Sequence, residues 1–168
     1  MHQLQLLRTG DRFAGLEPGD LAPDERESVL RLASGILESM VHTGNAFTSP
    51  EIAKRYFQAK LATRPDEVFG VLYLDNRNRA IEFREMFHGT VDGCSVHPRT
   101  IVRTALELNS AALVLAHNHP SGATDPSTAD QRITQRLKSA LAFVDVRVLD
   151  HIIVSVEGTV SMAEQGLL

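Results

Sequence analysis

His117 and His119 are separated by one residue and stand at the end of an apolar run, Ala111-Ala112-Leu113-Val114-Leu115-Ala116. Residues two apart on a strand point to the same side, so both imidazoles can be presented to one point at the strand's end. A loop bearing Gly122 and Pro126 then leads to Asp130, in the first turns of the next helical segment, which can fold back towards the histidines. Two imidazoles and one carboxylate make a three-ligand zinc site with the fourth position left to water, the arrangement of catalytic rather than structural zinc. Zinc lowers the pKa of such a water to about 7, which supplies hydroxide near neutrality.

Chemistry at that water also needs a proton carrier and a donor for developing negative charge. Ser127 lies at the helix start after Pro126, where free amides and the positive end of the helix dipole collect, and its hydroxyl can donate to an oxyanion. Glu67 opens the first strand of the main domain, and a glutamate beside the metal water can act first as general base and then as general acid. Nothing in the sequence alone brings Glu67 to His117; a sheet holding both strands allows it. Each residue also has a plainer reading: histidines that bond loop carbonyls, a solvated aspartate, a solvent-facing glutamate, a serine that merely begins a helix.

Positioning these groups falls to alternating helices and strands. From Pro23 on, Val29, Ala33, Ile36 and Met40 recur at helical spacing, and Gly44-Asn45 ends the run. Ser49-Pro50-Glu51 starts a second helix with Ser49 as N-cap and Ile52, Ala53, Tyr56, Phe57 and Leu61 on its apolar face. Strands are expected from Val68 to Leu74 and from Ala80 to Phe87, joined as a hairpin through Asp75-Asn76-Arg77-Asn78. After Pro98 comes a helix with Ile101, Val102, Ala105, Leu106 and Asn109 on one face, and Ala111 to Ala116 reads as a central strand covered on both sides. A helix from about Pro126, capped by Asp125, buries Ile133, Leu137, Ala140, Leu141 and Val144. Strands from Val144 to Leu149 and from His151 to Val156, with a short one around Thr159-Val160, finish the domain. The class is α/β. The first 20 residues, punctuated by Gly10, Gly15, Pro18 and Gly19, read as a loosely attached arm.

The 168 residues are 43% hydrophobic and 23% charged, with a formal net charge of −4. That is globular composition with enough chain for one core. The single cysteine, Cys94, excludes an internal disulfide and the multi-cysteine zinc frameworks. It reads as a small buried or loop residue. No apolar run approaches the roughly 18 residues that cross a bilayer, and the N-terminus lacks the order of a signal peptide. A cytoplasmic protein with no membrane partner is therefore expected. The net acidity disfavours charge-driven nucleic-acid binding and leaves room only for a local basic patch. Arg132, Arg136 and Lys138 read as a solvated helix face, and His42, His88 and His97 have no partners at ligand spacing. Asp150-His151 reads as a core pair outside the site, with support of the metal's surroundings as the competing assignment.

The spacing of His117, His119, Ser127 and Asp130, with an upstream glutamate in Asp66-Glu67-Val68-Phe69-Gly70, resembles the JAMM (MPN+) metalloprotease signature. Gly89-Thr90, Pro98-Arg99, His117-Asn118-His119-Pro120-Ser121-Gly122, Pro126-Ser127 and Leu149-Asp150-His151 resemble the RadC-type branch of bacterial JAMM-domain proteins, over about residues 48 to 166. The resemblance implies a mixed, curved β-sheet flanked by helices, of cytidine-deaminase-like architecture. It implies His117, His119 and Asp130 as Zn2+ ligands, Glu67 as general acid/base and Ser127 as oxyanion partner. It also implies hydrolysis of a peptide or isopeptide bond in a peptide or protein substrate. On this reading residues 1–47 are an arm and leader helix and 48–168 the RadC-like domain. Residues 1–47 are too short for the helix-hairpin-helix region of longer members, so the chain reads as the short form. The alternative, from a different class, is an accessory protein of DNA repair or of a mobile element, binding a partner or nucleic acid with little or no turnover.

Overall fold

The computed structural model describes residues 13–42, 46–47, 49–89 and 95–168. The expected helix stop at Gly44-Asn45 and the reading of Cys94 lie outside them. The chain divides into two compact units, Met1–Ile36 and Leu37–Leu168. Among its described residues the first contains a 3-10 turn, Pro18–Asp20, and most of helix α1 (Pro23–His42).

The second unit is built on five strands, β1 (Val68–Leu74), β2 (Ala80–His88), β3 (Ala112–Asn118), β4 (Arg147–Val154) and β5 (Thr159–Ser161). They form one sheet of order β2-β1-β3-β4-β5. β1 runs antiparallel to both β2 and β3, β4 runs parallel to β3, and β5 is antiparallel to β4. Helices α2 (Pro50–Leu61), α3 (Pro98–Glu107) and α4 (Thr128–Ala142) complete a mixed α/β fold, with α4 forming the crossover between the parallel strands. Every residue of β1 and β3 is buried, which requires cover on both sheet faces. On one face Leu72, Leu74, Val114 and Ile152 pack with Tyr56, Phe57 and Leu61 of α2 and with Leu37, Met40 and Val41 of α1. On the other, Val71, Tyr73, Leu113 and Leu115 pack with Ile101 and Ala105 of α3 and Leu137 and Leu141 of α4.

Local chemistry sets the ends of these elements. Ser49 accepts the Ile52 amide and Pro50 occupies the first helical position of α2. The Asp75 carboxylate accepts the amides of Arg77 (2.7 Å) and Arg79 (2.9 Å), closing the β1–β2 turn. α3 stops at Glu107, earlier than its apolar pattern predicts, because Asn109 takes a left-handed φ of 49° and turns the chain into β3.

Two further expectations change. The strands predicted from Val144 to Leu149 and from His151 to Val156 are one strand, β4. Asp150 does not break it, because its buried carboxylate accepts Ser161 Oγ (2.5 Å), the Ala163 amide (3.0 Å) and the His151 amide (2.7 Å). A fully bonded acid is tolerated inside a strand. Helix α4 is capped by Ser127, not by Asp125. The reason is the reciprocal bonding of Ser127 with Asp130, which satisfies two amide donors at once.

Gly70 is where β2 closes onto β1. A Cβ there would lie 2.6 Å from Phe83 Cε2, and Phe83 is held edge-on by Tyr56 and Phe57 at ring separations of 5.7 and 5.9 Å. Gly70→Ala should therefore destabilise the fold by about 1–3 kcal/mol, read as a lower midpoint in urea unfolding. An unchanged midpoint would show that Phe83 can move aside.

Candidate metal centre

The centre forms at the carboxyl end of β3, between an antiparallel and a parallel neighbour. Phe69 of β1 pairs with His117, and the His119 amide donates to Val154 O of β4 (2.8 Å), carrying the extended backbone past the end of the strand. The two imidazoles therefore emerge on one side, and their Nε2 atoms lie 2.9 Å apart. From the first turn of α4, Asp130 Oδ1 reaches His117 Nε2 at 3.1 Å, and Oδ2 lies 3.6 Å from His119 Nε2. The three side chains expected as ligands are thus brought together, each offering one ligand atom, all within 4.8 Å of one another. The edges of a tetrahedron with metal–ligand bonds near 2.0–2.1 Å are about 3.3 Å, so two imidazole nitrogens and a carboxylate oxygen at these separations suit a small divalent ion.

Asp130 has two tasks. Its Oδ2 accepts the Ser127 amide (2.7 Å) and the Ser127 hydroxyl (2.6 Å), while Ser127 Oγ accepts the Asp130 amide (3.1 Å). The helix cap thereby orients the carboxylate and leaves Oδ1 towards the histidines. Burial pushes the Asp130 carboxyl up, but the hydrogen bonds from His117 and His119 and the Ser127 hydroxyl outweigh it and hold the group well below the usual carboxylate range. The hydrogen bond to Asp130 raises His119 above the ordinary imidazole value against its own burial, with smaller help from the Ala123 carbonyl and the charge of Glu67. His119 Nδ1 lies 2.9 Å from Ala123 O. A carbonyl only accepts, so this nitrogen carries a proton in either state, and Nε2, which donates to Asp130 while the ring is charged, is bare towards the centre once the ring is neutral.

Glu67, Phe69, Ser95, Val96, Ser127, Ala129 and Ile133 line, with the three ligands, a cleft of about 520 Å3. Glu67 and Ser127 are thus placed beside the histidines, Glu67 because β1 and β3 are neighbours. Asn118 fixes the approach to β1. It points to the opposite face from the histidines, where its Oδ1 accepts the Val68 amide (2.8 Å) and its Nδ2 donates to Asp66 O (3.0 Å) and Arg64 O (3.3 Å). The segment that carries Glu67 is clamped from behind by the residue between the two histidines.

Asn118 and Thr134 carry no assigned role in the sequence, and His151 is expected there in a core pair with Asp150, with support of the metal's surroundings as the competing assignment. His117 Nδ1 lies 2.9 Å from His151 Nε2, and His151 Nδ1 lies 2.6 Å from Thr134 Oγ1. The expected core pair Asp150-His151 is split by the strand, each side chain facing a different layer. Burial holds His151 well below the ordinary imidazole value. The available signals were spacing: Thr134 falls one helical turn after Asp130 on the stripe that continues to Leu137 and Leu141. His88, by contrast, is exposed near Glu85 (3.8 Å), and His97 lies against Phe87, both away from the ligands.

A family model described as the RadC-like JAB domain matches residues 47–167. A UPF0758 protein of Thioalkalivibrio sulfidiphilus is 47% identical over 94% of this chain and 77% of its own length. One from Nitrosococcus oceani is 53% identical over 84% of this chain, which spans only 63% of that relative. One from Vibrio cholerae is 51% identical over 86% of this chain and 91% of its own.

A metal held at this centre would compete with the proton for His119 Nε2. Because the folded protein raises His119, the proton persists above the ordinary imidazole pKa of about 6.5, and metal affinity should climb with pH until it is lost. Calorimetry in buffers of differing ionisation enthalpy should show more proton release at pH 6 than at pH 8; no buffer dependence would contradict the assignment. Asn118→Ala strips three backbone groups of their partners and should lower stability by about 3 kcal/mol in denaturant unfolding.

Proposed function

Because the chain belongs to the RadC-like JAB domain family, we propose that it is a metal-dependent hydrolase of amide bonds, a zinc metallopeptidase or isopeptidase. The observation that carries this reading is the convergence in one cleft of two imidazoles and a carboxylate with a further carboxylate and a hydroxyl at a helix amino end. Two neutral imidazoles and one carboxylate would leave a divalent ion with net positive charge, and zinc suits a mixed nitrogen and oxygen set, although other divalent ions bind in the order of intrinsic affinity.

A divalent ion held by His117, His119 and Asp130 would supply an acidified water as nucleophile and polarise the scissile carbonyl. Glu67, beside the ligands in the cleft, accepts a proton on its carboxylate as the carbonyl is attacked and returns it to the departing amine nitrogen. The carboxylate begins and ends the cycle unprotonated. Ser127 rests with its hydroxyl proton on Asp130 Oδ2. Turned towards the oxyanion, that proton leaves Asp130 Oδ2 still bonded by the Ser127 amide, so the donor is released without stranding the ligand. The amino end of α4 adds a positive dipole at the same point. Phe69, Val96 and Ile133 give the cleft apolar walls that favour an apolar group beside the scissile bond.

Metal content by plasma mass spectrometry should be about one ion per chain in the wild type and should be lost in His119→Ala and Asp130→Ala, each checked for folding. Glu67→Gln should retain metal and lose about 10²–10⁴-fold in hydrolysis across a panel of peptide and isopeptide substrates. A metal-loaded Glu67→Gln protein as active as the wild type would sink the mechanism. A wild type that binds no metal even after refolding with zinc would sink the hydrolase reading.

A further inference from the structure

We infer that Thr134 and His151 are positioning residues that set the tautomer of His117: a one-way chain of hydrogen bonds, running from His117 to the backbone carbonyl of Asp130, commits the Nδ1 proton of His117 to His151 and leaves Nε2 as the nitrogen that faces the metal centre. The assignment of the site's chemistry rests on the proposed function, but the direction of the chain does not.

The direction follows from its far end. Thr134 Oγ1 lies 2.6 Å from the Asp130 carbonyl oxygen, 2.6 Å from His151 Nδ1 and 3.7 Å from Met162 Sδ. A carbonyl has no proton to give, and two oxygens approach to 2.6 Å only with a proton between them. The single hydroxyl proton of Thr134 therefore goes to Asp130 O. The thioether of Met162 only accepts and does not alter this. Thr134 must then accept from His151, so His151 Nδ1 carries a proton. His151 is fully buried, and its ring meets His117, Thr134 and the edge of Phe69. Among the described residues no carboxylate is hydrogen-bonded to the ring: Asp150 bonds the His151 backbone amide, and Asp130 acts on the ring only through its charge, against the larger effect of burial. The ring is thus neutral, and its Nε2 is an acceptor. At 2.9 Å from it, His117 Nδ1 must donate. With Nδ1 committed to His151, Nε2 is the nitrogen that His117 turns to His119 Nε2 and Asp130 Oδ1; it bonds Asp130 while it holds a proton and is free for a metal once that proton is lost.

The chain is a closed circuit in structural terms. It leaves one metal ligand on β3, crosses β4 through His151, enters α4 through Thr134, and ends on the main chain of another ligand. A displacement of His117 therefore strains the same helical turn that presents Asp130. Neither Thr134 nor His151 touches the reacting atoms; both act through His117.

The test reads the tautomer directly. Long-range 15N–1H correlation spectra of the metal-free wild type should show His151 protonated at Nδ1 and bare at Nε2. The opposite tautomer would overturn the inference. Thr134→Val keeps the shape of the side chain and removes the acceptor, so His151 should switch to the Nε2–H form and donate to His117, moving the His117 proton onto its metal-facing nitrogen. Zinc affinity, measured by competition with a chromogenic chelator, should weaken by about 10–100-fold, and Thr134→Ser should restore both the spectrum and the affinity. A folded Thr134→Val protein with wild-type affinity and an unchanged His151 spectrum would also overturn the inference. If the valine variant does not fold, the wild-type spectrum decides alone. A wild type that binds no zinc defeats the hydrolase reading, yet its spectrum still tests the chain.

Discussion

His117 and Asn118 leave solvent at the end of a strand whose other residues are all apolar, and each then needs hydrogen-bond partners that its own strand cannot provide. A buried polar group without a partner costs on the order of 1–3 kcal/mol, so the surrounding elements are arranged to supply them. Asn118 takes its partners from the chain entering β1. His117 takes one from β4 and, through it, from α4. Because these residues are adjacent on a strand, their demands fall on opposite faces of the sheet. The polar end of β3 thus ties α4, the segment entering β1 and the neighbouring strand β4 to the same point.

Helix α4 shows how one short segment can serve stability and chemistry together. Ser127 and Asp130 close the helix as a cap and would do so whether or not any metal bound. The same bonds consume one oxygen of Asp130 and aim the other at the histidines. One turn later Thr134 is buried against His151, and the next apolar positions, Leu137 and Leu141, lock the helix onto the sheet. The candidate ligand Asp130 is therefore held by secondary structure rather than by a loop, which is the condition for a preorganised site.

Much of the architecture was legible because the patterns were local. The buried runs Val68–Leu74 and Ala112–Asn118, the Ser49-Pro50 helix start and the Asp75 turn are each dictated by residues within a few positions of one another. The misreading of β4 came where a distant partner overrode a local signal. Asp150 looks like a strand breaker and is instead sustained by Ser161 and Ala163 from the following segment. The strand also carries an irregularity opposite Leu113 and Val114, where Val148 and Asp150 take consecutive partners and Leu149 is left over. That extra residue sets the phase of His151, and no periodicity in the sequence announces it.

The candidate ligands were determined by sequence alone, since their spacing on one strand and the following helix turn needs no distant contact to be recognised. So were the Ser49 cap of α2 and the alternation that makes the fold α/β. Only the tertiary structure decided which residues surround those ligands. Glu67 reaches the cleft because β1, far earlier in the chain, is the strand that pairs with β3. His151 meets His117 because β4 lies on the other side in a shifted register. Sheet order and register are settled by the burial of whole faces against distant helices, a sum over many weak contacts that no short stretch of sequence contains.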